Sequence, residues 1–203
     1  MFDFSNKVVL ITGASYGFGE QFAYAFAEAG ANLILTARSE DALTQVGKAC
    51  EAKGASVCVV AGDVSNEADV NAVIQAGMQQ LGKIDVLINN AGIADPRGVS
   101  AEQFDTETFN RIISVDLTGA FMYARECGRH MLERGSGSIV NICSIMASGG
   151  NENNVIGYAA AKRAAEEGAT VLISDFHERR LGEAADRIAA EVGCARPATV
   201  VCD

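Results

Sequence analysis

Two side chains one helical turn apart, Tyr158 and Lys162, form the pattern in this sequence best suited to moving a proton. Residues four apart on a helix share a face, which brings such side chains to about 6 Å of each other. A phenol alone titrates near about 10 and is a poor base at neutral pH. An ammonium beside it favours the phenolate, so the pair suits acid–base work at a neutral oxygen. Read singly, Tyr158 is a common core residue and Lys162 a common surface one, its stem covering apolar neighbours. Only the pair at this spacing points to chemistry.

A second constellation is suited to holding a phosphate. After an apolar run comes Thr12-Gly13-Ala14-Ser15-Tyr16-Gly17-Phe18-Gly19, followed by the helical stretch Glu20 to Ala29. Glycines between a strand and a helix let main-chain N–H groups and the positive helix end approach a pyrophosphate. Gly13 is expected to make the turn, Gly17 to allow close approach, and Gly19 to let the helix pack tightly on the strand. Ser15, Tyr16 and Phe18 lie on the same turn. Glycines at such spacing occur by chance, and the strand before and helix after are what give them meaning.

The end of the second strand normally separates the two nicotinamide dinucleotides, because a carboxylate there binds both ribose hydroxyls and repels a phosphate. This strand ends Thr36-Ala37-Arg38, with a guanidinium in place of the acid. A guanidinium grips a 2′-phosphate through paired hydrogen bonds, so NADP is the expected cofactor, with NAD the alternative. Asp63, just after the third strand, has two readings: acceptor from an adenine amino group, or cap of the helix beginning near Glu67.

The elements that must position these residues are legible as alternating apolar runs and helical stretches. Strands are expected near 7–12, 32–37, 56–61, 84–89, 138–143, 170–174 and 198–202. Runs such as Val8-Val9-Leu10-Ile11 and Val86-Leu87-Ile88 are apolar on both faces, as parallel strands covered by helices on each side must be. The expected fold class is therefore α/β with a doubly wound parallel sheet, whose ligands bind beyond the carboxyl ends of the strands.

With 203 residues, 49% of them hydrophobic, the chain can bury one substantial core, and a single domain over 1–203 is expected. Sixteen basic against 26 acidic side chains leave a net charge of -10, which disfavours nucleic acid and anionic membrane surfaces. Neither a long apolar span nor a secretory start is visible, so a cytoplasmic location is expected. The six cysteines are widely spaced and only two histidines are present, so no metal site is expected and the thiols should be reduced and mostly buried.

Taken together, TGxxxGxG at 12–19, NNAG at 89–92, Ser144 and YxxxK at 158–162 resemble the short-chain dehydrogenase/reductase family, in order and at its spacing. The resemblance covers about residues 5–163 and includes the Asp63-Val64 pair. It implies a three-layer α/β/α Rossmann fold and hydride transfer between a nicotinamide cofactor and a small carbonyl or alcohol. On that resemblance Tyr158 is the general acid or base, and Ser144 bonds the substrate oxygen. Lys162 lowers the tyrosine pKa and binds the nicotinamide ribose, while Asn90, Ala91 and Gly92 lie along the cofactor. It also leaves room for a homo-oligomer paired through the helices that carry Asp116 and Tyr158.

Two departures stand out. Asp116 occupies a place where the family usually has an asparagine whose main chain holds a water in the proton relay. Asp keeps the size but loses two donors, while a main-chain relay could survive; the alternative is a mid-helix Asp that bonds its own backbone and has no catalytic part. The second is the tail, 164–203, which lacks the family's Pro-Gly strand end. Residues 26–46 align with 164–184 at a constant offset, with Gly30-Ala31 matching Gly168-Ala169, although any two helix-strand-helix units share such features. Either the gene is a recombinant or truncated product, or the tail supplies the last strand-helix-strand; the latter is expected. If Asp116 and the tail have cost activity, the alternative is a nucleotide-binding protein without turnover. A third reading is a chain completed by an assembly partner.

Overall fold

The computed structural model describes residues 3–94, 103–142, 172–175, 186, 190 and 198–201. They fall into two compact units, Met1–Gly92 with Thr118–Ile139, and Ile93–Leu117 with Val140–Asp203.

In the first unit, β1 (Val8–Thr12) is followed by α1 (Gly17–Glu28), β2 (Asn32–Ala37), α2 (Glu40–Glu51), β3 (Val57–Ala61), α3 (Glu67–Leu81) and β4 (Val86–Asn89). Along the chain, α4 (Thr106–Ile112) and most of a π-helical turn (Ile113–Gly119) belong to the second unit, and α5 (Ala120–Arg134) with the start of β5 (Ser138–Asn141) to the first. The sheet order is β3-β2-β1-β4-β5. The pairs β1–β2, β1–β4 and β2–β3 are all parallel. This is the α/β, Rossmann-like arrangement that the apolar runs predict, and each strand lies within its expected limits.

Every residue of β1 is buried, as is all of β2 after Asn32, because helices cover both faces. Glycines mark the closest helix–sheet approaches. A Cβ at Gly47 of α2 would strike Val59 and lie near Val57, whereas one at Gly77 of α3 would strike Ile34. Val57 and Val59 are in register with Leu33 and Leu35. Since alternate residues face opposite sides, α2 and α3 lie on opposite faces of the sheet. The helices α1 and α2 pack together, as do α3 and α5, giving three layers. Buried Ala23 and Ala27, one turn apart, form the inner stripe of α1.

The amino ends of β1 and β4 are fastened by one carboxylate. Asp85 Oδ2 accepts from the Val8 N–H at 2.8 Å, and the side chain pairs with Lys83 at 3.0 Å and Arg134 at 2.9 Å. Burial pushes the Asp85 carboxyl up, but the Val8 N–H, Lys83 and Arg134 outweigh it and hold the group below its ordinary range. Cys50, Cys58 and Cys127 are buried free thiols, and burial pushes Cys50 up to about 11 and Cys127 to about 12. Cys143, Cys194 and Cys202 lie outside the described residues.

In the second unit, β6 (Leu172–Asp175) and β7 (Ala198–Val201) form a two-stranded parallel sheet with Leu172 opposite Ala198 and Asp175 opposite Val201. Among the described residues, these two strands pair with each other. The pairing follows that of β2 with β3. Ala37 is opposite Ala61 as Asp175 is opposite Val201.

Candidate functional site

The glycine turn sits at the carboxyl end of β1, where the sheet order reverses between β2 and β4. Gly13 and Gly17 have φ of 66° and 61°, values that only glycine adopts without strain. A Cβ on Gly13 would lie 2.9 Å from the Ala91 Cα, and one on Gly17 would meet nothing within 4 Å. Gly13 therefore makes both the turn and a close approach to the loop after β4, while Gly17 faces open space. A Cβ on Gly19 would collide with the Gly13 carbonyl and lie 2.7 Å from Asn90 Nδ2. Its packing partner is the turn itself, where the sequence pointed to the strand.

Helix α1 begins at Gly17, earlier than the helical pattern suggested, and its N-cap Tyr16 supplies no side-chain hydrogen bond. Amino-terminal N–H groups of a helix need partners, and without a cap they suit an anion. Uncapped donors beside the open face of Gly17 fit a dinucleotide's pyrophosphate. Ser15 is buried, and Tyr16 and Phe18 are 73% and 66% exposed. Phe18 stacks on Phe22 one turn along, with ring centroids 6.3 Å apart.

The loop after β4 is locked to this turn by Thr12, which sequence reasoning did not single out. Thr12 is 2% exposed, and its hydroxyl accepts from the N–H groups of Asn90 and Ala91, each at 3.0 Å. The Asn90 amide in turn donates to the Thr12 carbonyl at 3.0 Å and the Gly13 carbonyl at 3.3 Å. Its side chain thus braces the glycine turn; Gly92 is exposed. The neighbouring Asn89 is buried and donates through Nδ2 to the Ala120 carbonyl at 3.0 Å, joining β4 to α5.

Arg38 and Asp63 leave adjacent parallel strands at one edge. The Gly62 N–H donates to the Ala37 carbonyl at 3.0 Å, and Arg38 is exposed. Asp63 does not cap α3: Asn66 is the cap, its side chain accepting from the Ala68 N–H at 2.9 Å. Asp63 Oδ1 instead accepts from the Ser65 N–H at 2.9 Å and its hydroxyl at 2.6 Å. A short polar side chain bonding the backbone two residues on makes a turn. Val64 is buried.

Within the second unit, Asp116 lies in the π-helical turn. Its Oδ1 accepts from the Ile93 N–H at 2.9 Å, so it bonds a distant segment, unlike the local backbone bond of the alternative reading. Burial raises its carboxyl, and the Ile93 N–H works in the opposite sense. Ser144, Tyr158 and Lys162 lie outside the described residues. Among the described residues, no helix is long and apolar enough to cross a membrane.

Comparison with known proteins agrees with this geometry. A family model described as short chain dehydrogenase matches residues 7–165. The cis-4-hydroxycyclohexanecarboxylate dehydrogenase of Sinomonas cyclohexanicum is 36% identical over 78% of this chain and 63% of its own. The gluconate 5-dehydrogenase of Gluconobacter oxydans (strain 621H) is 34% identical over 72% of this chain and 57% of its own. The chain thus spans roughly six-tenths of the length of these relatives. A solved short-chain type dehydrogenase/reductase from Mycobacterium marinum superposes with a TM-score of 0.75 at 29% identity, covering 90% of this chain and 79% of that one. With the sheet order, the glycine turn and the family match in agreement, the chain belongs to the short-chain dehydrogenase family.

Proposed function

We propose that the protein transfers a hydride between NADP(H) and a small alcohol or carbonyl compound. The observation that carries the reading is the clamp of Thr12 and Asn90, which holds the loop after β4 against a glycine turn ending in an uncapped helix. That surface suits a pyrophosphate. Arg38, exposed at the end of β2, suits a 2′-phosphate, and a carboxylate that would oppose it is missing from that strand end. Asp63 is the acceptor for the adenine amino group, and Ala91, Gly92 and Val64 line the cofactor.

The dinucleotide supplies the hydride chemistry, and the chain's own side chains manage the proton. Tyr158 gives a proton to the carbonyl oxygen in reduction and takes it from the alcohol in oxidation, a contribution of about 10² to 10⁴ in rate. Lys162, one turn along, favours the phenolate and binds the ribose hydroxyls. Ser144 donates to the substrate oxygen and steadies its developing charge. Asp116 holds the Ile93 segment that follows NNAG. Since both named relatives act on hydroxy-carboxylates, a panel of hydroxy acids is the first set of substrates to try.

Titration with NADPH and NADH tests the cofactor: NADPH should bind more tightly, and Arg38→Ala should abolish the difference. In steady-state assays Tyr158→Phe should lower kcat by at least about 10²-fold with cofactor affinity kept. A second reading, cofactor binding without turnover, is favoured by the carboxylate at position 116. Tight NADPH binding with no oxidation across the panel, in wild type and Asp116→Asn alike, would select it.

A further inference from the structure

The turn after β3 is held from more sides than a surface turn needs. The Asn66 N–H donates to the Asp63 carbonyl at 2.9 Å, closing the turn from within. Ser65 orients the Asp63 carboxylate through two donors. From below, Asp69 Oδ2 accepts from the Asp63 N–H at 2.9 Å. From the side, Gly119 lies so near that a Cβ there would be 2.8 Å from the Val64 carbonyl. Asp69 is the third residue of α3, a position from which an acidic side chain ordinarily reaches back to the N–H of the cap residue. Here it reaches past the cap to Asp63.

We propose that Asp69 is a positioning residue for adenine recognition, fixing the Asp63 main chain so that its carboxylate meets the 6-amino group of the cofactor's purine. The inference rests on the reading of Asp63 as the adenine acceptor. The Asp63 carboxylate favours a donor at the purine 6-position and opposes the carbonyl oxygen that hypoxanthine carries there. Asp69 touches no ligand; without its bond the Asp63 main chain loses the one hold that comes from inside α3, and the direction of its carboxylate is less closely fixed.

Calorimetric titration with NADPH, its hypoxanthine analogue and reduced nicotinamide mononucleotide tests this. Wild type should prefer NADPH to the hypoxanthine analogue by about tenfold, the worth of one hydrogen bond to a charged group. Asp69→Ala should bring that ratio close to one, leaving the affinities for the analogue and the mononucleotide nearly unchanged. Asp69→Asn, whose amide oxygen still accepts from the Asp63 N–H, should keep the preference. If Asp63→Ala removes the preference and Asp69→Ala retains it, the role of Asp69 is overturned while that of Asp63 stands. A wild type indifferent to the purine overturns both. Equal weakening of all three ligands in Asp69→Ala marks a merely structural residue and also overturns the proposal. Should that variant fail to fold, Asp69→Ser, too short to reach Asp63, decides by the same ratio.

Discussion

A methyl group at position 19 would occupy space already filled by the Gly13 carbonyl and the Asn90 amide. Gly19→Ala should therefore cost about 1–3 kcal/mol, the usual range for forcing atoms into a packed site, and weaken NADPH binding, as read by thermal melting and titration. Thr12 presents the converse constraint, since removing its oxygen leaves two half-buried N–H groups without an acceptor. Thr12→Val is expected to lose about 2–4 kcal/mol in chemical denaturation, and Thr12→Ser most of that loss regained. At Asp116, burial raises the folded carboxyl above its unfolded value. The ionised form is thus disfavoured in the folded chain, and stability falls as pH rises from the unfolded to the folded pKa. Asp116→Asn, which keeps an acceptor for Ile93, should be more stable than wild type at pH 7 and lose that advantage in acid; denaturant midpoints at the two pH values check it.

Among the elements, the strands were legible because burial on both faces leaves a continuous apolar signature, as in Val8–Ile11 and Leu33–Leu35. The glycine turn was legible because a positive φ restricts residue type. Three features were not. The π-helical turn in the run from Thr106 to Arg134 has no compositional mark. The Thr12 clamp joins residues nearly 80 apart in sequence, and a hydroxyl at a strand end does not reveal its partner in advance. The capping of α3 fell to Asn66 over Asp63 because the cap must stand immediately before the first helical residue. Of the proton-transfer set, Tyr158, Lys162 and Ser144 are read from motif and order alone.

For the molecule as a whole, acid should act through Asp85, which secures the starts of β1 and β4 and the end of α5. Its folded carboxyl titrates below the ordinary value, so its stabilising effect is present above the unfolded pKa and lost as pH falls through the folded one. Asp85→Ala leaves Arg134, Lys83 and the Val8 N–H without this acceptor and should cost about 2 kcal/mol at neutral pH. The variant should also show a flatter acid limb than wild type when midpoints are followed from pH 7 to pH 3.

The bare start of α1 has a consequence for how the free protein behaves. The Tyr16 side chain does not cap the first turn, and the space beside Gly17 is open, so an anion can supply the acceptor that a cap residue would otherwise provide. A dinucleotide should act there as the missing fastener, adding about 2.7 kcal/mol at a hundredfold excess over its dissociation constant. Protease resistance of the glycine turn would then report how much cofactor surrounds the protein.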